Sequence, residues 1–505
     1  MPGGGNFGSI HSIVGGQMMM ENNNLNSKPN TNTNISDKIE KEAVFGIVPI
    51  TRSKRQYGFL DAFLVLSGYC IATWSYTQGS YLTTLVGFKQ LLIGAFLGAI
   101  LMLAIYQLPV ILSVRYGIDI WIWLKSVFGH NGIKIMTVVI ILINFPWYAV
   151  CADLFASSMS NLLALGNIHI PDYCHTFFGL FCVLLGTFIA YKGVGAITWT
   201  TRILVPLLVL VGAVVVYIGF SNVPAEAIWE YIPKDPGYEN NIIPYVISIE
   251  ANFAFVITLV GGMAEIPRLA KTERGGFWAG VLGQGLTGSF FVVIGAVMAI
   301  AMEYVTGEFV DDPTLMLATL SVPAVALCSL LLVGFANVGT QAVGSYIYAV
   351  MIKSSFHKAS YKVLLAILAC YVGGLCIWGK IIDYFGSFLT IGACIYAPLA
   401  ALLFVDFFIV RRQKISLRAA YGLKGHDAYK YTKGFNCVGL ICVLAGVFIS
   451  LAVYNPLSGE IHCEPLFYLT PTGCGFIGTG LLYWFLNQIP TVKAYTLKDR
   501  DDITV

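Results

Sequence analysis

Residues 203–219 read ILVPLLVLVGAVVVYIG and residues 91–105 read LLIGAFLGAILMLAI. Neither run carries a charge, and both approach the ~20 apolar residues that cross a bilayer core. The rest of the chain agrees with them. Of 505 residues, 57% are hydrophobic and 11% charged, and the mean hydropathy is +0.75. A soluble domain carries about 25% charged residues, so this chain has too little charge to coat a water-facing surface. The net charge of +3 forms no basic stripe, which argues against nucleic acid as a partner. The reading is an all-α, polytopic protein of the plasma or inner membrane, in contact with the lipid bilayer.

From Gln56 onward the pattern divides into twelve transmembrane segments, near 57–85, 88–114, 133–163, 173–191, 195–220, 241–266, 275–302, 322–353, 361–379, 384–410, 434–455 and 466–488. With this division, twenty-four Lys and Arg residues after position 51 fall on one side, among them Arg115, Arg268, Lys353, Arg411, Arg412 and Lys433. The other side receives Lys89, Lys234 and Lys380. Cytoplasmic loops carry the excess of positive charge, which sets both termini in the cytoplasm.

Residues 1–44, with the run ENNNLNSKPNTNTN, are expected to form a disordered cytoplasmic tail. No cleaved signal peptide is expected, since no basic segment leads into an apolar one. A transporter core is expected over 45–410, with halves 57–220 and 241–410. A linker and helices eleven and twelve follow over 411–490, then a C-terminal tail over 491–505. The loop Arg115–Gly132 alternates apolar and polar residues and predicts an amphipathic segment lying on the inner membrane surface. The twelve cysteines are scattered without a CxxC pair, and they read as small core or lipid-facing residues rather than metal ligands.

Two segments look broken. The first carries Gly68 and then Thr73-Trp74-Ser75-Tyr76-Thr77-Gln78-Gly79. The sixth carries Ser248-Ile249-Glu250-Ala251-Asn252 and then Gly261-Gly262. Backbone can unwind at membrane depth only where it lines a protected cavity. Interrupted helices at matching positions of two halves point to a transporter's central site. Tyr76 and Gln78 are candidate substrate contacts on that basis.

The third segment places Asn144, Trp147/Tyr148 and Cys151 on one helix face, and the eighth repeats the spacing with Asn337, Thr340/Gln341 and Gly344. An aromatic platform beside an amide suits a flat heterocycle: the ring stacks, and the amide reads its edge. A carboxylate at the centre of a span costs roughly 2.5–3.5 kcal/mol by insertion scales. Glu250 is therefore a candidate proton site or substrate acceptor, with Asp153 second. Histidines 130, 169, 175, 357 and 426 are dispersed over both sides, unlike the clustered groups a membrane-embedded enzyme needs. No catalytic residue, metal site or cofactor is expected.

These residues resemble the nucleobase:cation symporter family, which includes cytosine, uracil, allantoin and hydantoin permeases. The likeness rests on Val48-Pro49-Ile50-Thr51-Arg52-Ser53, Tyr76-Thr77-Gln78-Gly79, Arg115-Tyr116-Gly117, Ala264-Glu265-Ile266-Pro267-Arg268, and the stretch from Phe388-Leu389-Thr390 through Asp406-Phe407-Phe408 to Arg411-Arg412. The resemblance implies a leucine-transporter fold of two inverted five-helix repeats plus two further helices, working by alternating access. It also implies a heterocycle held between Trp147, with Asn144, on the third helix and Phe255 or Phe253 on the sixth. Thr258 would lie nearby, and Asn337 and Ser345 would be the eighth-helix contacts.

Sodium-coupled members set adjacent hydroxyls of the eighth helix against first-helix carbonyls, where this chain offers Gly339-Thr340. The coupling ion is thus Na+ or H+, with Gly339, Thr340, Glu250 and Asp153 as candidates. The expected substrate is a nucleobase such as cytosine or a purine. The alternatives are a vitamin-type ring (pyridoxine, thiamine, hydroxymethylpyrimidine) or an amino acid or amine carried by the same fold. A monomer suffices.

Overall fold

The computed structural model describes residues 48–71, 73–234, 242–258, 264–310 and 312–499. The N-terminal tail, the pair Gly261-Gly262 and the last residues of the C-terminal tail lie outside them. The first nine helices are α1 (Phe59–Cys70), α2 (Thr73–Thr83), α3 (Phe88–Tyr106), α4 (Lys125–Asn144), α5 (Trp147–Leu165), α6 (Tyr173–Lys192), α7 (Val194–Asn222), α8 (Ile242–Ile257) and α9 (Glu273–Thr306). Then come α10 (Pro323–Ser355), α11 (Tyr361–Trp378), α12 (Ile382–Val410), α13 (Cys437–Val453), α14 (Pro471–Leu486) and α15 (Pro490–Thr496).

Among the described residues, eight helices are long and apolar enough to cross a membrane, counting α4 with α5 as one. The pair α1 and α2 makes a ninth span, bent by 56°. Helices α8 and α13 are shorter apolar helices, and α14 has 16 residues. A bent first span is what the expected leucine-transporter arrangement requires.

Small residues let the helices approach. On α2, a Cβ at Gly79 would sit 2.0 Å from the Val292 carbonyl, and one at Gly295 of α9 would sit 2.3 Å from the Tyr76 carbonyl. Backbone therefore touches backbone along the α2–α9 seam, as small residues permit in membrane helices. Tyr148 of α5 likewise lies flat on Gly344 of α10, where a Cβ would come within 1.9 Å of its ring.

The structure corrects two expectations. The loop 115–132 does not lie on the membrane surface. Asp119, Trp121 and Trp123 are fully buried, Asp119 caps the turn Ile120–Trp123 through Ile122 N–H at 2.7 Å, and Trp123 packs on Phe407 with ring centres 5.2 Å apart. The polar stretches 73–79 and 248–252 are not themselves unwound. Both are helical, because their side chains bond within the helix: Ser80 and Thr77 to carbonyls four residues back, and Asn252 to the Ser248 carbonyl at 3.1 Å.

The loops rich in Lys and Arg gather with α15 at one end of the bundle, here the basic end. Residues 115–132, 268–275 and 411–436 belong to it. The opposite, acidic end is made by 222–234, 303–310, 312–322, 379–385 and 454–471.

Candidate functional site

The first span breaks after Cys70, where Ile71 leaves helical geometry with φ −78° and ψ 75°. Gly68 lies three residues before it. The freed carbonyls find partners close by: Cys70 O accepts from Trp74 Nε1 at 3.1 Å and from Ser75 Oγ at 2.6 Å. Gly68 O accepts from Thr340 Oγ1 of α10 at 3.3 Å. Asn337, one turn earlier on α10, donates from Nδ2 to Thr73 Oγ1 at 2.5 Å and accepts from Thr73 N–H at 3.4 Å. Helix α10 thus supplies what a broken helix in lipid requires.

The sixth span changes at the other side of the same region. Helix α8 ends at Ile257, and the carbonyl of Thr258 accepts from Asn144 Nδ2 at 2.8 Å. Asn144 is the last residue of α4, at the turn Phe145-Pro146 that interrupts the third span, and its amide also donates to the Tyr348 hydroxyl.

Between the two lies Trp147, the first residue of α5, only 4% exposed. Four rings surround it. Trp74 (5.2 Å, 88°), Phe255 (6.0 Å, 71°) and Phe385 (5.5 Å, 85°) meet it edge to face, and Phe388 lies at 5.0 Å, tilted 55°. Gln78 follows Trp74 by four residues on α2 and so shares its face. Both polar atoms of its amide are buried without a hydrogen-bond partner. Leaving a buried amide unsatisfied costs about 1–3 kcal/mol, which stability alone does not recover.

The structure brings Asn144, Trp147, Phe255 and Thr258 together at this aromatic face, with Gln78 one turn beyond Trp74 on α2. Asn337 and Thr340 lie at the α1 break, and Gly339 faces Leu204 of α7. The choice between the two phenylalanines falls to Phe255, since Phe253 turns away to Tyr106 at 5.1 Å. Tyr76 faces α9, against Phe291 at 5.5 Å. Ser345 lies one turn beyond Gln341 and accepts from its Nε2 at 3.5 Å.

The two carboxylates lie elsewhere. Glu250 accepts from Thr472 N–H at 3.3 Å and from its hydroxyl at 2.5 Å, at the start of α14. It stands two turns from Thr258, roughly 12 Å at 1.5 Å per residue. Asp153 pairs with His175 of α6 at 3.1 Å. Among the described residues, no three His, Cys, Asp or Glu side chains are grouped to hold a metal.

Sequence reasoning passed over Trp74, Phe385, Phe388 and Tyr348 as site residues. Trp74 carried a usable signal, four residues before Gln78. The two phenylalanines at i and i+3 on α12 carried a weaker one.

Residues 49–474 match the family described as permease for cytosine/purines, uracil, thiamine, allantoin. The chain is 20% identical to a purine-uracil permease of Arabidopsis thaliana, over 87% of this chain and 76% of that one. It is 23% identical to a hydantoin permease of Microbacterium maritypicum, over 75% of this chain and 74% of the relative. Among solved structures it matches Mhp1, a nucleobase-cation-symport-1 family transporter, in a closed form with bromovinylhydantoin bound. The TM-score is 0.72 at 18% identity, covering 90% of this chain and 98% of the other. A Na+-coupled sialic acid symporter in a substrate-bound outward-open state follows at a TM-score of 0.63, 11% identity and 89% and 92% coverage. The chain is a membrane permease, not an enzyme, and belongs to the family of permeases for cytosine/purines, uracil, thiamine and allantoin.

Proposed function

We propose that this permease imports a nucleobase or a closely related nitrogen heterocycle by cation symport with alternating access, the basic end facing the cytoplasm. One observation carries the reading: a tryptophan with an unpartnered, buried glutamine amide on the neighbouring helix, set between a broken first span and the end of α8. A flat ring displacing Phe388 or the edge of Phe255 gains a stacking partner in Trp147. The Gln78 amide then offers one donor pair and one acceptor to the ring's N–H and C=O edge. Asn144 and Thr258 frame the far side. The names of the relatives, a purine-uracil permease and a hydantoin permease, support rings of this class over amino acids or amines. All of these groups come from one chain, so a monomer suffices.

Of the two coupling candidates, the geometry favours the seam where Thr340 meets the Gly68 carbonyl. Hydroxyl and carbonyl oxygens are the donor set a hard monovalent cation takes. Glu250 and Asp153 are engaged at other partners, away from Trp147. The reading is therefore Na+ at the α1–α10 seam. Its test is uptake of labelled cytosine, uracil, hypoxanthine and hydantoin into proteoliposomes, with Na+ replaced by choline at constant pH. Accumulation of at least one ring that collapses without Na+ supports the account. Accumulation that follows only the proton gradient rejects the seam, and no accumulation of any ring rejects the substrate class.

A further inference from the structure

At the acidic end a cavity of about 330 Å³ opens between α2, α8, α12 and the chain around 454–471. Among the described residues its lining includes Glu250, Asp383, Tyr81, Thr390 and Tyr454, and no Lys, Arg or His. Glu250 sits deep and is 5% exposed, whereas Asp383 is exposed at the rim. The deep carboxylate receives two hydrogen bonds from Thr472 at the first turn of α14, where the helix dipole also favours negative charge. Among the described lining residues the carboxylates of Glu250 and Asp383 have no basic partner, which leaves room for a cation beside them.

We infer that this cavity is a second binding site, separate from the Trp147 face, and that it takes a single cationic nitrogen ring with Glu250 as its counter-ion. The volume lies at the lower edge of the roughly 300–1,000 Å³ typical of small-molecule sites, which suits one ring and not two. Tyr81 and Tyr454 in the lining bring aromatic rings that attract a cation, and Asp383 at the mouth draws positive charge inward. The partition from the central face is on α12. Gly386 and Leu389 line the cavity, while Phe385 and Phe388 on the same helix pack on Trp147. Because Glu250 also holds the start of α14, a bound cation competes with Thr472 for the carboxylate. Occupancy is thereby felt by the last helix.

The test uses the full chain in detergent and two probes of nearly equal shape, 1-methylnicotinamide (a fixed cation) and nicotinamide (neutral), read by calorimetric titration. The account expects the cation to bind at least tenfold tighter than the neutral ring. It expects that affinity to survive Trp147→Ala and to fall at least tenfold in Glu250→Gln. Should Glu250→Gln fail to fold, Ser387→Phe fills the half-buried wall of the cavity with the Glu250–Thr472 bonds intact, and the same loss is expected. Equal binding of the two probes overturns the inference, as does loss in Trp147→Ala, or retention of cation binding in both cavity variants. Binding of labelled cytosine to Trp147→Ala reports on the central site alone, so the two readings fail separately.

Discussion

The two ends of the bundle are closed by different chemistry. At the basic end Arg411 is the hub of a buried ionic cluster. Its Nε donates to Asp406 at 2.9 Å and its Nη1 to Asp499 at 2.7 Å, and Nη2 reaches the carbonyls of Ser126 and Thr496. Tyr483 and Tyr429 donate to the same two carboxylates at 2.8 and 2.5 Å. One guanidinium bridges two carboxylates, and the cluster ties α12, the first turn of α4, α14, α15 and the chain just beyond it together. At the acidic end the buried Glu250 is held by the N–H and hydroxyl of Thr472 and by the hydroxyl of Thr470, with an open cavity beside it. A network that closes on itself is rigid, while a carboxylate held by hydroxyl groups beside a cavity can exchange partners. The Arg411 cluster reads as a clamp at its end of the bundle, and the cavity beside Glu250 as an opening at the other.

That contrast is broken most sharply by Arg411→Ala. Removing it leaves Asp406 and Asp499 buried and unpaired, and breaking a buried pair in this way costs about 3–5 kcal/mol. The expected outcome is loss of most folded protein on size-exclusion chromatography in detergent. Recovery at the wild-type level refutes the clamp. Between the ends, Gly344→Ala drives a Cβ into the Tyr148 ring. Overpacking of this kind costs about 1–3 kcal/mol, seen as a drop in Tm of several degrees, and an unchanged Tm contradicts the packing described.

Glu250→Gln at the cavity keeps one acceptor for Thr472 and loses a charge-assisted bond, a change of roughly 1–2 kcal/mol. Its Tm shift should be clearly smaller than that of Arg411→Ala, and an equal shift erases the difference between the ends. Gln78→Leu has the opposite sign. Replacing an unpartnered buried amide with an apolar chain should raise stability by about 1 kcal/mol while weakening substrate binding at least tenfold. Higher Tm with intact binding removes Gln78 from the site. The smallest effect belongs to Gly339→Ser, whose new Cβ meets the tip of Leu204 at 3.2 Å and sets a second hydroxyl beside Thr340. The Na+ concentration for half-maximal uptake should fall a few-fold, and no response to Na+ in either form moves the coupling site elsewhere.

How far the sequence carried the account depended on the range of the interaction. Apolar runs and the Lys/Arg distribution are local and redundant, so the membrane fold and its family were legible. Trp147 and Asn144 were legible because one helix face carries both the ring and the amide. The first break falls at Ile71, inside the stretch from Gly68 to Gly79 that signalled it. Polar and glycine residues at 73–79 signalled unwinding, yet they bond within α2 and pack on α9, and the break at Ile71 is fixed by Asn337 and Thr340, about 270 residues away. Glu250 was read as central for a similar reason. Nothing near it in sequence reveals that its partner is Thr472, or that it lines a cavity at the acidic end. A helical position tells which face a residue occupies, not what faces it.

The most direct test of the central claim is equilibrium binding of tritiated base to purified wild type, Trp147→Phe and Trp147→Ala. A stacking face predicts that phenylalanine keeps affinity within about tenfold and that alanine abolishes it with the fold intact by Tm. Equal binding in all three proteins, or equal loss in both variants, contradicts the account.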